Sequence, residues 1–249
     1  HQILLQCCLH HLKNLLQAEE KNGTCHINAQ PLCFESGNDP LLEKLRLDGP
    51  VLVSSIKMLL NTQGKDLPAE VKSVHTTTPG AFRRTLSVEG RFFLQEEPHA
   101  GSFTLYVSAY AGMPFVKLWL RVFNDTKADL PIAGLPITLE FPTPCARFRL
   151  PCGDAPDGFT LKQISENKRT LNGETVAPNT PCFVQWDDGV VVLRQFRELF
   201  PKSIHAQDTH LTLDLAAGGD TPITLTPGEA LSHEIWIALG EVDPVQFAA

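Results

Sequence analysis

The densest cluster of basic and aromatic residues in the chain begins at Arg194. Arg197 follows one helical turn later, Lys202 lies just beyond, and Trp186 precedes them by one predicted strand. Two guanidinium groups at this spacing can donate to a single carboxylate, and an aromatic ring can stack on the face of a sugar. The cluster therefore predicts a binding site for an acidic sugar, with His205 beside it as a titratable group. A surface helix whose Arg and Glu side chains pair over the end of a sheet explains the same residues equally well.

A second set of basic and aromatic residues alternates along the predicted strand 115–123. Its members are Lys117, Trp119, Arg121 and Phe123. Alternate residues of a strand point to the same face, so these four side chains share one face of the sheet. A ligand-binding face is one interpretation, and the favoured one is that a second sheet covers Trp119 and Phe123.

Other signatures of catalysis are missing from the sequence. It contains no G-x-S-x-G, P-loop, G-x-G-x-x-G or H-E-x-x-H motif, and we expect neither a metal nor a cofactor. Asp187-Asp188-Gly189 is the most obvious pair of carboxylates. Two acids before a glycine, between two apolar runs, favour a hairpin turn over a catalytic pair.

Charge and cysteine usage limit the choice of partners and compartment. The formal net charge is -7, which disfavours a general binding surface for nucleic acid or anionic lipid. No run of apolar residues is long enough to span a membrane. The seven cysteines are scattered without C-x-x-C or zinc-type spacing, which favours reduced thiols and a cytoplasmic location, although a periplasmic or secreted protein stays an alternative.

Hydrophobic periodicity places these residues on strands. Apolar residues alternate in period two through most of the 249 residues, and Pro and Gly interrupt the chain at regular intervals. This pattern predicts a mainly β protein: an antiparallel β-sandwich with a smaller amino-terminal β region and one or two short helices. The helices are expected over 3–19 and in the segment that Pro201 ends. We expect an amino-terminal β region over 1–79 and the sandwich over 80–249.

Several segments together resemble a known family. They are Arg84 to Gly90, Phe103 to Leu118, Val122 to Thr126, Arg194 to Lys202 and Pro227 to Trp236. Over roughly residues 24 to 240 the chain resembles the exo-acting rhamnogalacturonan lyases and YetA-like proteins. The resemblance implies a β-sandwich portion of a larger protein whose helical domain is missing from this chain, so that the chain alone is expected to have weak or no activity.

The same resemblance implies lyase chemistry on rhamnogalacturonan-like, acidic plant-type oligosaccharide or polysaccharide. The family motifs do not assign catalytic roles to residues of this chain. On physical grounds, Arg194 and Arg197 would suit neutralisation of a uronate carboxylate, Lys202 and Trp186 would be further binding residues, and His205 would suit the base. A non-catalytic carbohydrate-binding or scaffolding β module is the first alternative. A sandwich of the aldose-epimerase type is the second, but it needs a His and a Glu that face one pocket. His233 and Glu234 cannot supply that pair, because neighbours on a strand point to opposite faces.

Overall fold

The computed structural model describes most of the chain in separate stretches. The described residues are 17–21, 24–29, 32–36, 41–47, 49–62, 64–77, 80, 82–93, 100–145, 147–155, 158–177, 182–196, 198–217 and 222–248. Arg197 and residues 3–16 of the predicted amino-terminal helix lie outside them.

The described residues form 22 strands and one short helix. The strands of the first half are β1 (Gln17–Lys21), β2 (Thr24–Ala29), β3 (Leu32–Ser36), β4 (Leu42–Leu47), β5 (Val51–Thr62), β6 (Lys65–Thr76), β7 (Arg83–Phe92), β8 (Ser102–Tyr110), β9 (Phe115–Phe123), β10 (Leu130–Ile132) and β11 (Pro136–Glu140). The elements of the second half are β12 (Phe148–Leu150), β13 (Gly153–Ala155), β14 (Thr160–Ser165), β15 (Lys168–Leu171), β16 (Glu174–Val176), β17 (Phe183–Trp186), β18 (Gly189–Leu193), β19 (Lys202–Gln207), β20 (His210–Asp214), β21 (Ile223–Leu225), β22 (Ala230–Leu239) and α1 (Pro244–Ala248).

Antiparallel pairing arranges these strands in two large sheets. The first sheet has the spatial order β1-β2-β3-β4-β5-β11-β20-β19-β14-β15-β16. The second has the order β6-β7-β8-β9-β22-β18-β17-β12-β13. The hairpin of β5 and β6 connects the two, because residues 59–62 leave the first sheet to pair with β6. Strands β10 and β21 form a small separate pair.

The core lies between the two sheets and follows from the alternation of apolar residues. On β8 and β9 the inward-facing residues are almost completely buried: Phe103, Leu105, Val107, Ala109, Val116, Leu118, Leu120 and Val122. One continuous hydrophobic cluster joins them to the inward residues of the first sheet. The predicted mainly β antiparallel sandwich is confirmed.

Several local predictions agree with the observed elements. The hairpin of β8 and β9 has the bounds that the alternation indicates. Asp187 and Asp188 form the turn between β17 and β18, where Trp186 pairs with Gly189. Strands on both sides of the expected boundary at 79/80 share a sheet, since β6 pairs with β7. The division into two units stays a prediction.

The predicted helices are not found where the described residues test them. Residues 17–19 of the expected first helix belong to strand β1. The described residues before Pro201, 194–196 and 198–200, form turns and bends, with one helix-like hydrogen bond from the Leu199 amide to the Gln195 carbonyl at 3.0 Å. The start of the predicted segment belongs to β18, and Gln195 has a φ of 52°, which is incompatible with a right-handed helix. The described helix is α1 instead.

Candidate functional site

The outer surface of the second sheet has a covered part and an open part. Helix α1 covers β17 and β18, where Phe247 and Ala248 pack against apolar residues of those strands. On β9, α1 reaches only Phe115, whose ring contacts Phe247, and the outer side is open at Trp119, which keeps 41% of its accessible surface. The expectation that a second sheet covers Trp119 is therefore wrong. The other sheet packs on the opposite side of β9, against residues such as Val116.

Strand register gathers an exposed aromatic surface on this open part. Trp119 pairs with Tyr106 on β8 and with Glu234 on β22, and all three side chains point outward. Arg121 and Phe123 follow Trp119 at alternate positions of β9. We call Tyr106, Trp119, Arg121 and Phe123 the aromatic face.

Ring contacts hold the aromatic face in shape. The Tyr106 and Trp119 rings are stacked, with centroids 5.3 Å apart and planes inclined by 27°. The Arg121 guanidinium lies 5.6 Å from the Trp119 centroid and 4.7 Å from the Phe123 centroid. Stacked rings and a cation over a ring each stabilise their partners by roughly 0.5–1.5 kcal/mol. The surface therefore presents the Trp119 ring in a fixed orientation, with the guanidinium N–H groups of Arg121 beside it.

An ion pair closes one side of the aromatic face. Lys117 and Glu234 form a salt bridge, and the Trp236 indole N–H donates to Glu234 Oε1 at 2.7 Å. Burial opposes ionisation of Glu234, but the hydrogen bonds from Lys117 and Trp236 outweigh it and lower the pKa of this carboxyl group. Glu234 is thus held as a carboxylate at neutral pH.

Among the described residues of the sequence-predicted cluster, Arg194 lies at the border of this surface. Its guanidinium lies 5.6 Å from the Trp236 centroid, and Nη1 donates to the Ala248 carbonyl at 3.1 Å. Arg194 therefore ties α1 to the border of the aromatic face.

Lys202 and Trp186 lie inside the sandwich. The Lys202 side chain is 0% exposed, and its ammonium donates to the Gln195 carbonyl at 3.0 Å. Burial lowers the pKa of Lys202 to about 8. Trp186 packs against Phe141 with centroids 5.2 Å apart, and its indole N–H has no hydrogen-bond partner among the described residues.

His205 lies on the other sheet. It is exposed on the outer side of β19, where Nδ1 is 3.0 Å from the Thr160 hydroxyl oxygen. The structure thus separates His205 on one outer face from Arg194 on the other, with Lys202 buried between them. The roles given to these residues and to Arg197 stay predictions.

A buried polar cluster surrounds Lys202 below the turns of 194–201. We call Arg169, Cys182, Phe196, Lys202 and His233 the interior cluster. Burial and the charge of Lys202 lower the pKa of His233 to about 3, and burial raises the pKa of the Cys182 thiol to about 12. His233 is 3% exposed and points inward, whereas Glu234 points outward. The prediction that these two neighbours cannot share a pocket is confirmed.

A larger cleft lies elsewhere on the molecule. It has a volume of about 830 Å³ and lies between the β12–β13 hairpin and α1, with Arg149, Asp243 and Phe183 in its lining. Phe183 is buried in the contact with α1, so the cleft has no open ring for stacking. We therefore favour the aromatic face as the binding surface.

Two general tests bear on other kinds of site. Within the described stretches, no group of three or more His, Cys, Asp or Glu side chains is placed to hold a metal ion. No helix among the described residues is long and apolar enough to cross a membrane.

Comparisons with known proteins identify the fold. No family model matches the chain, and no curated protein matches it. Among solved structures, a galactose mutarotase-like protein from Clostridium acetobutylicum has a TM-score of 0.55 at 11% identity, over 91% of this chain and 98% of that one. A protein from Klebsiella pneumoniae described as an aldose 1-epimerase has a TM-score of 0.56 at 8% identity, over 91% of this chain and 83% of that one. At these identities the likeness concerns the fold alone.

The comparisons correct the family resemblance. The structural neighbours are galactose mutarotase-like and aldose 1-epimerase proteins, a different family from the rhamnogalacturonan lyases. The identification as a rhamnogalacturonan lyase or YetA-like protein is wrong. The segments that suggested it, such as Phe103 to Leu118, are alternating strands and tight turns, which occur in many antiparallel sandwiches.

Sequence reasoning found part of the aromatic face and missed the rest. The alternation on β9 marked Trp119, Arg121 and Phe123 of the face, with Lys117 at its border. Tyr106 of the face and Glu234 at its border were missed, because their positions depend on which strands flank β9. The outward-facing Tyr106 in the predicted hairpin partner was the available signal.

Proposed function

We propose that this chain is a carbohydrate-binding β module that holds its ligand on the aromatic face. The observation that carries the proposal is the exposed Trp119 ring, which is held in place by Tyr106 and Arg121. Trp is highly buried on average in folded proteins, so a partly exposed Trp ring in a fixed orientation indicates a contact surface. Its flat apolar surface fits the C–H face of a pyranose ring.

Polar groups around Trp119 suit the hydroxyl groups of such a ring. Guanidinium N–H groups of Arg121 would donate to sugar oxygens at one edge. At the other edge, the oxygens of Glu234 would accept from sugar hydroxyls, since its ionised form is already held by Lys117. A ring flanked by a few convergent polar groups is the usual composition of a small-molecule site.

The neighbouring structures support the same class of ligand. Their names refer to galactose mutarotase and aldose 1-epimerase, both of which concern sugars. They give no support for lyase chemistry. The acidic character of the ligand stays a proposal, which rests on Arg194 and Arg197, because Lys202 is buried and cannot reach a ligand on the aromatic face.

Calorimetric titration with neutral and acidic probes tests the proposal. We expect galactose, galacturonic acid or their linear tetramers to bind the wild-type chain, and Trp119→Ala to weaken that binding at least about tenfold. Trp119→Phe should retain part of the affinity because a smaller ring remains. Met113→Ala is the matched control, since Met113 is also exposed but lies in the turn between β8 and β9.

Two outcomes would contradict the proposal. One is that none of the four saccharides binds. The other is binding that Trp119→Ala leaves unchanged and Arg149→Ala abolishes, which would move the ligand to the larger cleft.

A further inference from the structure

A smaller cleft borders the aromatic face on the outer side of β6, β7 and β8. Its volume is about 280 Å³. The polar residues that line it come from these strands and from the segment after β9: Lys72, Ser73, Glu89, Arg91, Ser102, Thr104 and Asp125. No part of the proposed binding surface described above includes these residues.

A β-bulge shapes the wall of this cleft. The pairing of β6 with β7 shifts its register between Val71 and Ser73, so Lys72 is an extra residue without a partner in the ladder. Bulges bend a strand and re-aim its side chains, often beside binding sites. Here the bulge brings Lys72 and Ser73 to the cleft, where the Ser73 hydroxyl donates to Glu89 Oε2 at 3.2 Å.

Close packing fills the floor of the cleft. Gly90 and Phe103 pair across β7 and β8 and both line it. A Cβ atom on residue 90 would lie 2.4 Å from Phe103 Cζ and 2.3 Å from the Glu70 carbonyl oxygen, which is closer than real contacts allow. The glycine thus lets the Phe103 ring and β6 approach on the core side of the sheet, which keeps the sheet closely packed beneath the cleft.

The cleft and the aromatic face are neighbours along the same strands. Thr104 in the cleft pairs with Arg121 of the aromatic face and lies two residues from Tyr106 on β8. Two residues of a strand span about 7 Å. If one sugar ring of an oligosaccharide stacks on Trp119, the next sugar ring would therefore reach the cleft.

The charges of the cleft are balanced. Lys72 and Arg91 supply positive charge, and Glu89 and Asp125 supply negative charge. Such a mixture provides donors and acceptors for hydroxyl groups, but no net field that would attract a carboxylate. The chemistry fits a neutral, hydroxyl-rich ring.

We propose that this cleft is a second sugar subsite, so that the ligand is an oligosaccharide with a neutral ring in the cleft and the adjacent ring on Trp119. This inference rests on the proposed function. Two linked rings that occupy adjoining subsites gain affinity because the second contact forms at a high effective concentration.

The test compares ligand length with cleft variants. We expect galactotetraose to bind the wild-type chain at least about tenfold more tightly than galactose. The double variant Glu89→Gln and Arg91→Gln should bring the galactotetraose Kd close to that of galactose, while the galactose Kd itself stays within about twofold. Both residues are exposed, so thermal unfolding should match the wild type. Glu174→Gln, an exposed carboxyl group on β16 of the other sheet, is the matched control.

The outcomes separate this inference from the proposed function. Equal Kd values for galactose and galactotetraose, both dependent on Trp119, would overturn the second subsite and leave the proposed function intact. A tetramer advantage that survives Glu89→Gln and Arg91→Gln would also overturn it. Tighter binding of tetragalacturonate than of galactotetraose, lost on Arg91→Gln, would overturn the neutral assignment. If neither galactose nor galactotetraose binds through Trp119, the proposed function fails for these sugars and the subsite fails with it.

Discussion

The aromatic face and the interior cluster combine the same kinds of residue with opposite consequences. On the aromatic face, Trp119 and Arg121 contact each other and remain accessible. In the interior cluster, the Arg169 guanidinium lies 5.3 Å from the Phe196 centroid, but both residues are buried. The side of the sheet on which a residue lies therefore decides whether basic and aromatic groups stay accessible to a ligand or become part of the packed core.

The interior cluster also contains polar groups whose burial is costly. Both ring nitrogens of His233 lack a hydrogen-bond partner among the described residues, and the Lys202 ammonium is bonded to a backbone carbonyl. A buried polar group without a partner costs roughly 1–3 kcal/mol. On the aromatic face, by contrast, the charged groups keep contact with water or with each other. We expect the interior cluster to control the pH dependence of stability and the aromatic face to control binding.

The largest expected difference concerns the loss of one ring from each region. Phe196→Ala should lower the free energy of unfolding by about 3–5 kcal/mol, because it leaves a cavity beside Arg169. Trp119→Ala should lower it by about 1 kcal/mol, since 41% of the Trp119 surface is already accessible to water in the folded state. Urea unfolding of both variants measures the difference. Equal losses would remove the distinction between the two regions.

Acid should destabilise the protein through His233. Burial and the charge of Lys202 lower its pKa to about 3 in the folded state, against the ordinary 6.5 of an unfolded chain. Below pH 6.5 the unfolded chain binds a proton that the native chain excludes, so stability falls with falling pH, by about 2 kcal/mol at pH 5. His233→Leu should remove most of this fall and raise the stability at pH 7 by about 1 kcal/mol. An unchanged acid profile in urea titrations of His233→Leu would contradict the burial of a neutral imidazole.

Replacement of the buried lysine should be tolerated. Lys202→Met keeps the volume and removes the ammonium, so we expect it to be neutral or to stabilise by about 1 kcal/mol at pH 7. In the wild type, the lowered pKa of about 8 means that stability rises with pH from about 8 towards 10.5. That rise should vanish in Lys202→Met when thermal unfolding is followed over this pH range. A loss of several kcal/mol at pH 7 would show that the ammonium is needed inside.

The smallest effect should come from the border of the aromatic face. Lys117→Met breaks the salt bridge to Glu234, but both side chains are more than a quarter exposed, so the stability change should stay below about 1 kcal/mol. The pKa of Glu234 should rise, because the largest effect that lowers it is lost. An NMR titration of the Glu234 carboxyl group measures this shift. An unchanged pKa would show that Lys117 does not hold the carboxylate.

The sequence predicts the fold where local patterns determine structure. The alternation around Pro114 gives the β8–β9 hairpin, and Asp187-Asp188-Gly189 gives a turn. The prediction of a helix near Phe196 is wrong, because the helix-like spacing of its apolar residues belongs to turns that pack over Lys202. Local spacing does not distinguish these two arrangements.

The site depends on contacts that are distant in the sequence. Glu234 and Trp236 lie beside β9 through the pairing of β9 with β22, more than 100 residues away along the chain. Lys202 was predicted to be a ligand-binding residue. The structure buries it on β19, where Ile204 and Ala206 face inward as well. A lysine at an inward position is rare, so its residue type did not indicate this burial.

The most direct test of the central claim follows the three tryptophan side chains during one titration. Each indole N–H gives a separate NMR signal, which Trp→Phe variants assign. When galactotetraose is added, we expect the Trp119 signal to shift most, the Trp236 signal to shift less and the buried Trp186 signal to stay in place. A Trp119 signal that stays unchanged while the saccharide binds would contradict the assignment of the aromatic face as the binding surface.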